Sequence, residues 1–246
     1  MIKDKVIIIT GASSGIGRAT AIKALKNNNK VVLAARREDF LHEFYDLFPA
    51  QKEDILIIKT DVTIEAQCEN LIKRTIEHFG RIDVLINNTG ISMRALFGDL
   101  ELFVFNKVMA VDFYGALYCS KFALPHLLES KGTLVGVSSV AGFAPLPGRT
   151  AYTAAKYALQ GMMEAIRLEY RNQGLNVLLV CPGFTSSNIR VTALNGNGKE
   201  QGESPRDEHG MMSAEKVAGH IIRGIEKRRK LIVLTNFGKA AYIIAR

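Results

Sequence analysis

Three side chains that could act together on a carbonyl or hydroxyl group lie close in the sequence: Ser139, Tyr152 and Lys156. Tyr152 and Lys156 are four residues apart, so on a helix they share one face. A phenol has a reference pKa of about 10 and exchanges protons poorly at neutral pH. An ammonium about 4 Å away favours the phenolate by roughly 4 kcal/mol at an effective dielectric of about 20, but by only about 1 kcal/mol in water. The pair therefore predicts acid–base chemistry only in a pocket that excludes water.

Ser139 could aim a hydroxyl at a substrate oxygen, because it ends an apolar, strand-like run thirteen residues before Tyr152. The alternative is a surface helix that carries a tyrosine and a lysine at this spacing by chance. For the pair taken alone we favour that alternative, so the surrounding elements must decide.

The first of those elements predicts a phosphate site. Residues 5–10 form an apolar β-branched run, residues 11–17 a glycine-rich turn, and residues 18–26 carry apolar side chains at helical spacing. Glycines let the backbone approach a phosphate closely, and the helix N-terminus that follows offers N–H groups and a positive dipole end. The position of the turn between a strand and a helix makes it typical of dinucleotide binding.

The end of the second predicted strand indicates which dinucleotide. Residues 30–35 form this strand, and Arg36 and Arg37 follow it directly. In dinucleotide-binding folds an acid here hydrogen-bonds the ribose 2′-hydroxyl, whereas arginine accommodates a 2′-phosphate. We therefore predict NADP(H) over NAD(H). The alternative is that the two arginines only form a solvated turn.

Strands and helices then alternate along the chain. We predict strands at 55–60, 84–86, 133–137, 177–180 and 231–234, and helices at 38–48, 64–79, 100–128, 150–171 and 213–227. Such repetition predicts an α/β fold, a doubly wound parallel sheet with helices on both faces. No linker divides the chain, so we predict one domain over 1–246. Residues 185–212 are polar, rich in turn formers and follow a strand end, which predicts a substrate lid.

Composition limits the function classes. The chain has 246 residues, 48% of them hydrophobic and 23% charged, as expected for a globular protein with a sizeable core. Its three cysteines, Cys68, Cys119 and Cys181, lack metal-site spacing, so we predict no metal site and a reduced, cytoplasmic protein. The net charge is +8, of which +6 falls in residues 223–246, but no recognition module accompanies it and we predict no nucleic-acid partner. For the tail 235–246 we favour packing on protein over contact with a membrane surface.

Together these residues resemble the short-chain dehydrogenase/reductase (SDR) family, over residues 5–234. The matching motifs are, in order, Thr10-Gly11-x-x-x-Gly15-x-Gly17, Asn87-Asn88-Thr89-Gly90, Ser139, Tyr152-x-x-x-Lys156 and Pro182-Gly183. The resemblance implies a single Rossmann domain with strand order 3-2-1-4-5-6-7. It also implies hydride transfer between the nicotinamide of NAD(P)(H) and a carbonyl or alcohol carbon.

The resemblance also implies roles for particular residues. Tyr152 would be the general acid in reduction, Lys156 would make it a stronger acid and hold the nicotinamide ribose, and Ser139 would orient the substrate oxygen. The residues implied to bind the cofactor, besides Arg36, Arg37, Tyr152 and Lys156, are Thr10, Gly11, Ser13, Ser14, Gly15, Ile16 and Gly17 at the pyrophosphate, Asp61 and Val62 at the adenine, Asn87 and Gly90 along the groove, and Pro182, Gly183 and Thr185 over the nicotinamide amide.

The sequence departs from the family pattern at one position that bears on activity. Asp112 stands where the family has an asparagine that supports a water relay to the lysine. We count Asp112 with the catalytic residues and expect its negative charge to alter proton transfer. Ser187 replaces the final threonine of Pro-Gly-x-x-x-Thr and keeps a hydroxyl.

The leading hypothesis is an NADPH-dependent oxidoreductase that reduces a ketone or other carbonyl. The alternatives are an alcohol dehydrogenase running in the oxidative direction and a non-catalytic NADP(H)-binding sensor or scaffold. Helices 100–128 and 150–171 would, in this family, pair across a two-fold axis, so we expect a homodimer or homotetramer. An apolar wall at the mouth of the pocket favours a small-molecule substrate that is lipid-like, steroid-like or ketoacyl; its predicted members are Met93, Phe143, Pro145, Leu146 and Phe184. The alternative is that these side chains belong to the ordinary core.

Overall fold

A computed structural model describes residues 2–186, 188–204 and 210–244. Seven strands in this part of the chain form one parallel sheet, in the order β3-β2-β1-β4-β5-β6-β7. This confirms the predicted fold class and strand order. The strands are β1 Val6–Thr10, β2 Lys30–Ala35, β3 Ile55–Lys59, β4 Val84–Asn87, β5 Thr133–Val137, β6 Asn176–Cys181 and β7 Leu231–Val233.

Helices cover both faces of the sheet. Their bounds are α1 Gly15–Leu25, α2 Asp39–Leu47, α3 Glu65–Phe79, α4 Leu102–Met109, α5 Gly115–Glu129, α6 Thr150–Glu169, α7 Ala214–Glu226 and α8 Asn236–Ile244. Helices α1, α2 and α7 share a core with one face of the sheet, and α3, α5 and α6 with the other. Side chains alternate along each strand, so Ile7 and Ile9 face the first core while Val6 and Ile8 face the second. Burial on both faces explains why β1 is an unbroken apolar run.

The predicted helix 100–128 is not uniform. It consists of α4, a π-helical turn at Ala110–Tyr114, and α5. Such wide turns are frequent at functional sites, and this one contains Asp112. A Cβ on Gly115, the next residue, would lie 2.6 Å from Cγ2 of Val62, so this position has no room for a side chain. The sequence predicted the length of this helix but not the turn.

The helical segment Leu102–Glu129 is long and apolar enough, by composition alone, to cross a membrane. Val108, Cys119 and Leu127 of this segment are nevertheless fully buried inside the protein, as expected of a core helix.

The C-terminal part agrees with the predicted helix start and adds a helix. The Ser213 hydroxyl accepts a hydrogen bond from the Lys216 N–H at 3.3 Å and caps α7. The tail 235–246, for which we predicted no element, contains α8. The Tyr242 ring of α8 packs edge-on against Phe143 at 5.2 Å between centroids. Ser187 lies outside the described residues.

Candidate active site

A cavity of about 580 Å³ opens at the carboxyl ends of the strands, beside the neighbouring strands β1 and β4, between which the strand order reverses direction. Ligands bind at this switch point in open α/β sheets. Most of the predicted site residues line the cavity: Gly11, Ser13, Ser14, Gly15, Ile16, Arg36, Arg37, Asp61, Val62, Gly90, Ser139, Tyr152, Lys156, Pro182, Gly183 and Thr185. Thr10, Gly17, Asn87 and Asp112 lie behind this lining.

The glycine turn brings α1 against the end of β1. Gly11 has a φ of +68°, and a Cβ on Gly17 would lie only 2.3 Å from the carbonyl oxygen of Gly11. The helix can begin this close to the turn only because Gly17 has no side chain. The Ser14 side chain does not cap α1, so the positive end of the helix faces the cavity.

Thr10 and Asn88 join β1 to β4 behind the turn. The Thr10 hydroxyl oxygen accepts from the backbone N–H of Asn88 at 3.0 Å, and the Asn88 side chain donates to the Thr10 carbonyl at 2.9 Å. Asn88 lines the cavity, although it was not among the predicted site residues. Asn87 instead donates to the Ser120 hydroxyl of α5 at 2.9 Å. The alternation of side chains along β4 explains why Asn87 points away from the cavity.

The two arginines after β2 lie at the cavity edge beside the glycine turn. Arg36 is exposed. The Arg37 guanidinium contacts the Ser13 hydroxyl at 3.5 Å and lies 4.5 Å from the centre of the Phe40 ring. The pair makes this edge of the cavity positive.

Asp61 and Val62 are held at the end of β3. The Asp61 carboxylate accepts from the backbone N–H of Thr63 at 3.0 Å and from its hydroxyl at 2.8 Å. The Gln67 side chain accepts from the backbone N–H of Asp61 at 2.7 Å. These bonds fix the orientation of the Asp61 side chain at the lining.

Helix α6 places Tyr152 and Lys156 on the opposite wall. The Lys156 Nζ lies 5.5 Å from the centre of the Tyr152 ring, 3.0 Å from Oδ2 of Asp112, and donates to the Val137 carbonyl at 3.3 Å. Lys156 and Asp112 are both almost fully buried. A Cβ on Gly90 would lie 3.1 Å from Asp112 Oδ2, so a side chain at this position would press against the ion pair.

Burial and charge act against each other in this ion pair. Burial raises the pKa of Asp112 more than the charge of Lys156 and the hydrogen bond from the Ile91 N–H lower it. Burial opposes the charge on Lys156 as well, but the Asp112 carboxylate and Tyr152 outweigh it and raise the pKa of Lys156. The ammonium is therefore charged at neutral pH, in a site of low dielectric where it acts strongly on a neighbouring phenol.

Ser139 is held in place for hydrogen bonding by its own backbone turn and by Gln160. Its hydroxyl oxygen accepts from the Ala141 N–H at 3.1 Å, which leaves the hydroxyl hydrogen available to a substrate oxygen. Gln160, one turn beyond Lys156 on α6, donates to the Ser138 hydroxyl at 3.0 Å and contacts the Ser139 carbonyl at 3.5 Å. Sequence reasoning missed Gln160, although its i+4 spacing from Lys156 places it on the same face.

The cavity lining contains further polar and charged residues that were not among the predicted site residues. They come from the loop after β4, from α4, from the start of α6 and from the segment after β6: Ser92, Lys107, Arg149, Arg190, Thr192 and Glu200. Of the predicted apolar wall, Leu146 and Phe184 line the cavity, whereas Met93 is buried in a separate core with Val104 and Phe143 packs on α8. Arg190, Thr192 and Glu200 belong to the predicted lid 185–212, so this segment forms part of the cavity wall.

Comparison with known proteins decides the family. The sequence profile described as short chain dehydrogenase matches residues 5–197. The chain belongs to this family. It is 37% identical over 190 residues to an 11-beta-hydroxysteroid dehydrogenase A of Arachis hypogaea, a match that covers 76% of this chain and 54% of that protein. It is 30% identical over 243 residues to the dehydrogenase/reductase SDR family member 7B of Rattus norvegicus, covering 96% of this chain and 75% of the relative.

The structural comparison agrees. A short-chain dehydrogenase/reductase from Burkholderia phymatum, solved in complex with NAD, has a TM-score of 0.84 at 26% identity and covers 94% of this chain and 90% of that one. The fold is thus that of the short-chain dehydrogenase/reductases, and the chain spans about half the length of the Arachis hypogaea relative. In the described residues no group of three His, Cys, Asp or Glu side chains could hold a metal ion.

The residues present fit a dinucleotide. One side of the cavity is formed by the turn at Gly17, where a Cβ would not fit, by the uncapped N-terminus of α1 and by the positive edge at Arg36. The buried ammonium of Lys156 lies on the other side. A bound nicotinamide dinucleotide would be held at its phosphates by the glycine turn and at its ribose by Lys156 and Tyr152.

Proposed function

We propose that this SDR protein is an NADPH-dependent reductase that converts a ketone or another carbonyl to an alcohol, with Tyr152 as the general acid. The observation that carries the proposal is the buried Lys156 ammonium, which lies between Tyr152 and Asp112 in a cavity that also contains Ser139. A cation in that position stabilises a phenolate more strongly than water would. The burial of Lys156 in this cavity argues against the alternative that a surface helix carries the tyrosine and the lysine at this spacing by chance.

Each side chain of the proposed site has a separate role in the reduction. Ser139 donates a hydrogen bond to the substrate oxygen and holds it near Tyr152. Tyr152 gives its proton to that oxygen as negative charge develops on it, and Lys156 stabilises the phenolate that remains. Asp112 holds the ammonium in place. The cofactor, when bound, supplies the hydride that the carbonyl carbon receives.

The preference for NADPH rests on Arg36 and Arg37. Both guanidinium groups lie at the cavity edge after β2, where a 2′-phosphate would be recognised. Neither residue is an acid that could hydrogen-bond a ribose 2′-hydroxyl. In the proposed enzyme Arg36, which is exposed, makes the ionic contact, and Arg37 supports it from its position against Phe40.

Two measurements test the proposed function. The first is thermal unfolding of the purified protein with NADPH or NADH, where we expect a larger stabilisation by NADPH at equal concentration. The second is oxidation of NADPH at 340 nm against ketosteroids, ketoacyl thioesters, oxo lipids, sugars and quinones. Absence of any stabilisation by NADPH would overturn the proposal. Binding without turnover of any carbonyl would favour the sensor alternative.

We also propose that the protein acts in the cytoplasm as a homodimer or homotetramer. Supporting this, large apolar side chains are more than one third exposed on the two helices that would pair: Leu102, Phe103, Tyr114, Tyr157 and Leu168. Light scattering after gel filtration measures the mass in solution. A monomer at micromolar concentration would contradict the proposal.

A further inference from the structure

One polar side chain of α6 joins the carboxyl ends of two neighbouring strands, β5 and β6. Gln160 is half-buried, and its Nε2 donates to the Ser138 hydroxyl at 3.0 Å and lies 3.5 Å from the Ser139 carbonyl oxygen. Both serines follow β5 directly. The same nitrogen lies 3.7 Å from Sγ of Cys181, the last residue of β6. A single amide group therefore contacts both strand ends and connects them to α6.

The two strand ends hold different parts of the proposed site. Ser139 would orient the substrate oxygen, whereas Pro182 and Gly183, which follow Cys181, would cover the nicotinamide amide. The backbone N–H of Val140 donates to the Pro182 carbonyl at 3.2 Å, so the two segments also contact each other beyond the sheet. A reaction between two bound groups needs their reacting atoms about 3–3.5 Å apart, and a misplacement of about 1 Å can lower its rate roughly 100-fold. The position of one strand end relative to the other therefore affects the rate.

The packing around Gln160 lets its amide group reach the turn that carries Ser139. A Cβ on Gly142 would overlap the Gln160 amide nitrogen and lie 2.9 Å from its Cδ. The Gly142 N–H itself donates to the Ser139 carbonyl at 3.0 Å, and the Ser139 hydroxyl accepts from the Ala141 N–H at 3.1 Å. The carbonyl of Ser139 thus faces both its own turn and Gln160, and these contacts fix the backbone from which the hydroxyl projects.

We propose that Gln160 is a positioning residue, which sets the position of Ser139 relative to the segment after β6 and thereby the rate of hydride transfer. The inference rests on the proposed reductase function and adds a residue to its site. Gln160 is not part of the cavity lining in the described residues, so it acts through Ser139 rather than by touching a ligand. Its loss should therefore lower kcat and leave the binding of substrate and cofactor nearly unchanged.

Gln160→Leu tests the proposal because it keeps most of the side-chain volume and removes the donor. Oxidation of NADPH is followed in a single turnover by stopped flow, with the carbonyl compound that the wild-type protein reduces best. We expect the single-turnover rate and kcat to fall about 10- to 100-fold. The KM for the carbonyl and the dissociation constant of NADPH should stay within a factor of about 3. Gln173→Leu, exposed after α6, is the matched control and should retain the wild-type rate.

Gly142→Ala provides a second test that leaves the glutamine itself in the chain. The new Cβ should push the flexible amide away from Ser139, so this variant should lose single-turnover rate as Gln160→Ala does. Because the two positions are in contact, the double variant should be no more than about 2-fold slower than the slower single variant. Gly161→Ala lies on the same helix with nothing within 4 Å of its Cβ, and it should retain the wild-type rate.

Deuterium uptake by the backbone measures the state of the turn independently of activity. The Gly142 N–H donates to the Ser139 carbonyl, so its exchange depends on how firmly this turn is held. In Gln160→Leu we expect the peptide 138–144 to exchange roughly 5-fold faster than in the wild type. Peptides from β1 should exchange at the wild-type rate, and thermal stabilisation by NADPH should persist, which together show that the variant is folded.

The possible outcomes separate this inference from the proposed function. If Gln160→Leu does not fold, Gln160→Glu takes its place, because it keeps the shape and cannot donate when ionised. An unchanged single-turnover rate in the folded variant would overturn the inference while the reductase function stands. Losses of rate that multiply in the double variant would overturn it as well, because the two positions would then act independently. Binding of NADPH without turnover of any carbonyl would overturn the proposed reductase and this inference with it.

Discussion

The Lys156 ammonium lies 3.0 Å from the Asp112 carboxylate, and the two side chains are buried together under Gly90. Where the family pattern has an asparagine that supports a water relay, this chain has a direct ion pair. The same ammonium lies 5.5 Å from the centre of the Tyr152 ring. The charge on Lys156 therefore depends on Asp112, which can be tested by pH.

Asp112→Asn should move the alkaline limit of activity to lower pH. In the wild type Asp112 helps to raise the pKa of Lys156 above its ordinary value of 10.5. The Lys156 ammonium and the stability that it contributes are therefore fully present below pH 10.5, and both are lost as the pH rises through the raised pKa of the folded protein. Without the carboxylate, burial remains and lowers the pKa of Lys156. Profiles of kcat/KM against pH measure the shift. Asp46→Asn, exposed on α2, serves as a control, and superimposable profiles for Asp112→Asn would refute the coupling.

Tyr152→Phe should abolish reduction and keep the cofactor site. The substitution removes the proton donor but retains the ring, so we expect kcat to fall by about 10²- to 10⁴-fold. Thermal stabilisation by NADPH should remain, reduced only by loss of the contact between this hydroxyl and the ribose. Tyr157→Phe, an exposed tyrosine on the same helix, is the matched control and should retain full activity. A variant that loses turnover but keeps its biological role would point to the sensor alternative.

Arg36→Ser should weaken the preference for NADPH over NADH. If Arg36 makes an ionic contact with the 2′-phosphate, its loss should lower the ratio of the two kcat/KM values roughly 10- to 100-fold, through KM for NADPH. Arg37→Ser should have a smaller effect because its guanidinium already packs on Phe40. The kinetics with both cofactors provide the measurement. If the ratio of the two kcat/KM values were unchanged in Arg36→Ser, the alternative that the two arginines only form a solvated turn would be favoured.

Gly17→Ala should lower both stability and affinity for NADPH. The new Cβ would lie 2.3 Å from the Gly11 carbonyl oxygen, and backbone atoms on both sides must move. Such overpacking costs about 1–3 kcal/mol of the free energy of unfolding. Gly161→Ala is the control: nothing lies within 4 Å of its Cβ, so the helix should gain about 0.5–1 kcal/mol. Denaturant titration compares the two, and equal stability of both variants would contradict the packing argument.

The parts of the fold that repeat were predictable from sequence. Apolar β-branched strands such as β1, helical spacing, and a glycine turn between them depend on local patterns, and these determine the strand–helix units. The motifs at strand ends then predicted most of the cavity lining. The same local logic located Tyr152 and Lys156 on one helix face and Ser213 at a helix start.

Contacts between distant segments could not be read in this way. Alternation along β4 would have predicted that Asn87 points toward α5, but only the packed sheet shows that Asn88 then faces the cavity. The approach of Arg149 to Ser92 joins residues 57 positions apart and depends on how the loop after β4 meets α6. The helical spacing of apolar residues likewise encodes neither the π-helical turn at Asp112 nor the close approach of Gly115 to Val62 beside it.

One face of α6 carries Tyr152, Lys156 and Gln160 at intervals of four residues. The Gln160 side chain contacts the turn that carries Ser139. Any fluctuation that unwinds this one helix therefore removes the acid, the cation and the anchor of the serine in the same event. Slow amide hydrogen exchange along α6 would consequently report how often the intact catalytic arrangement exists.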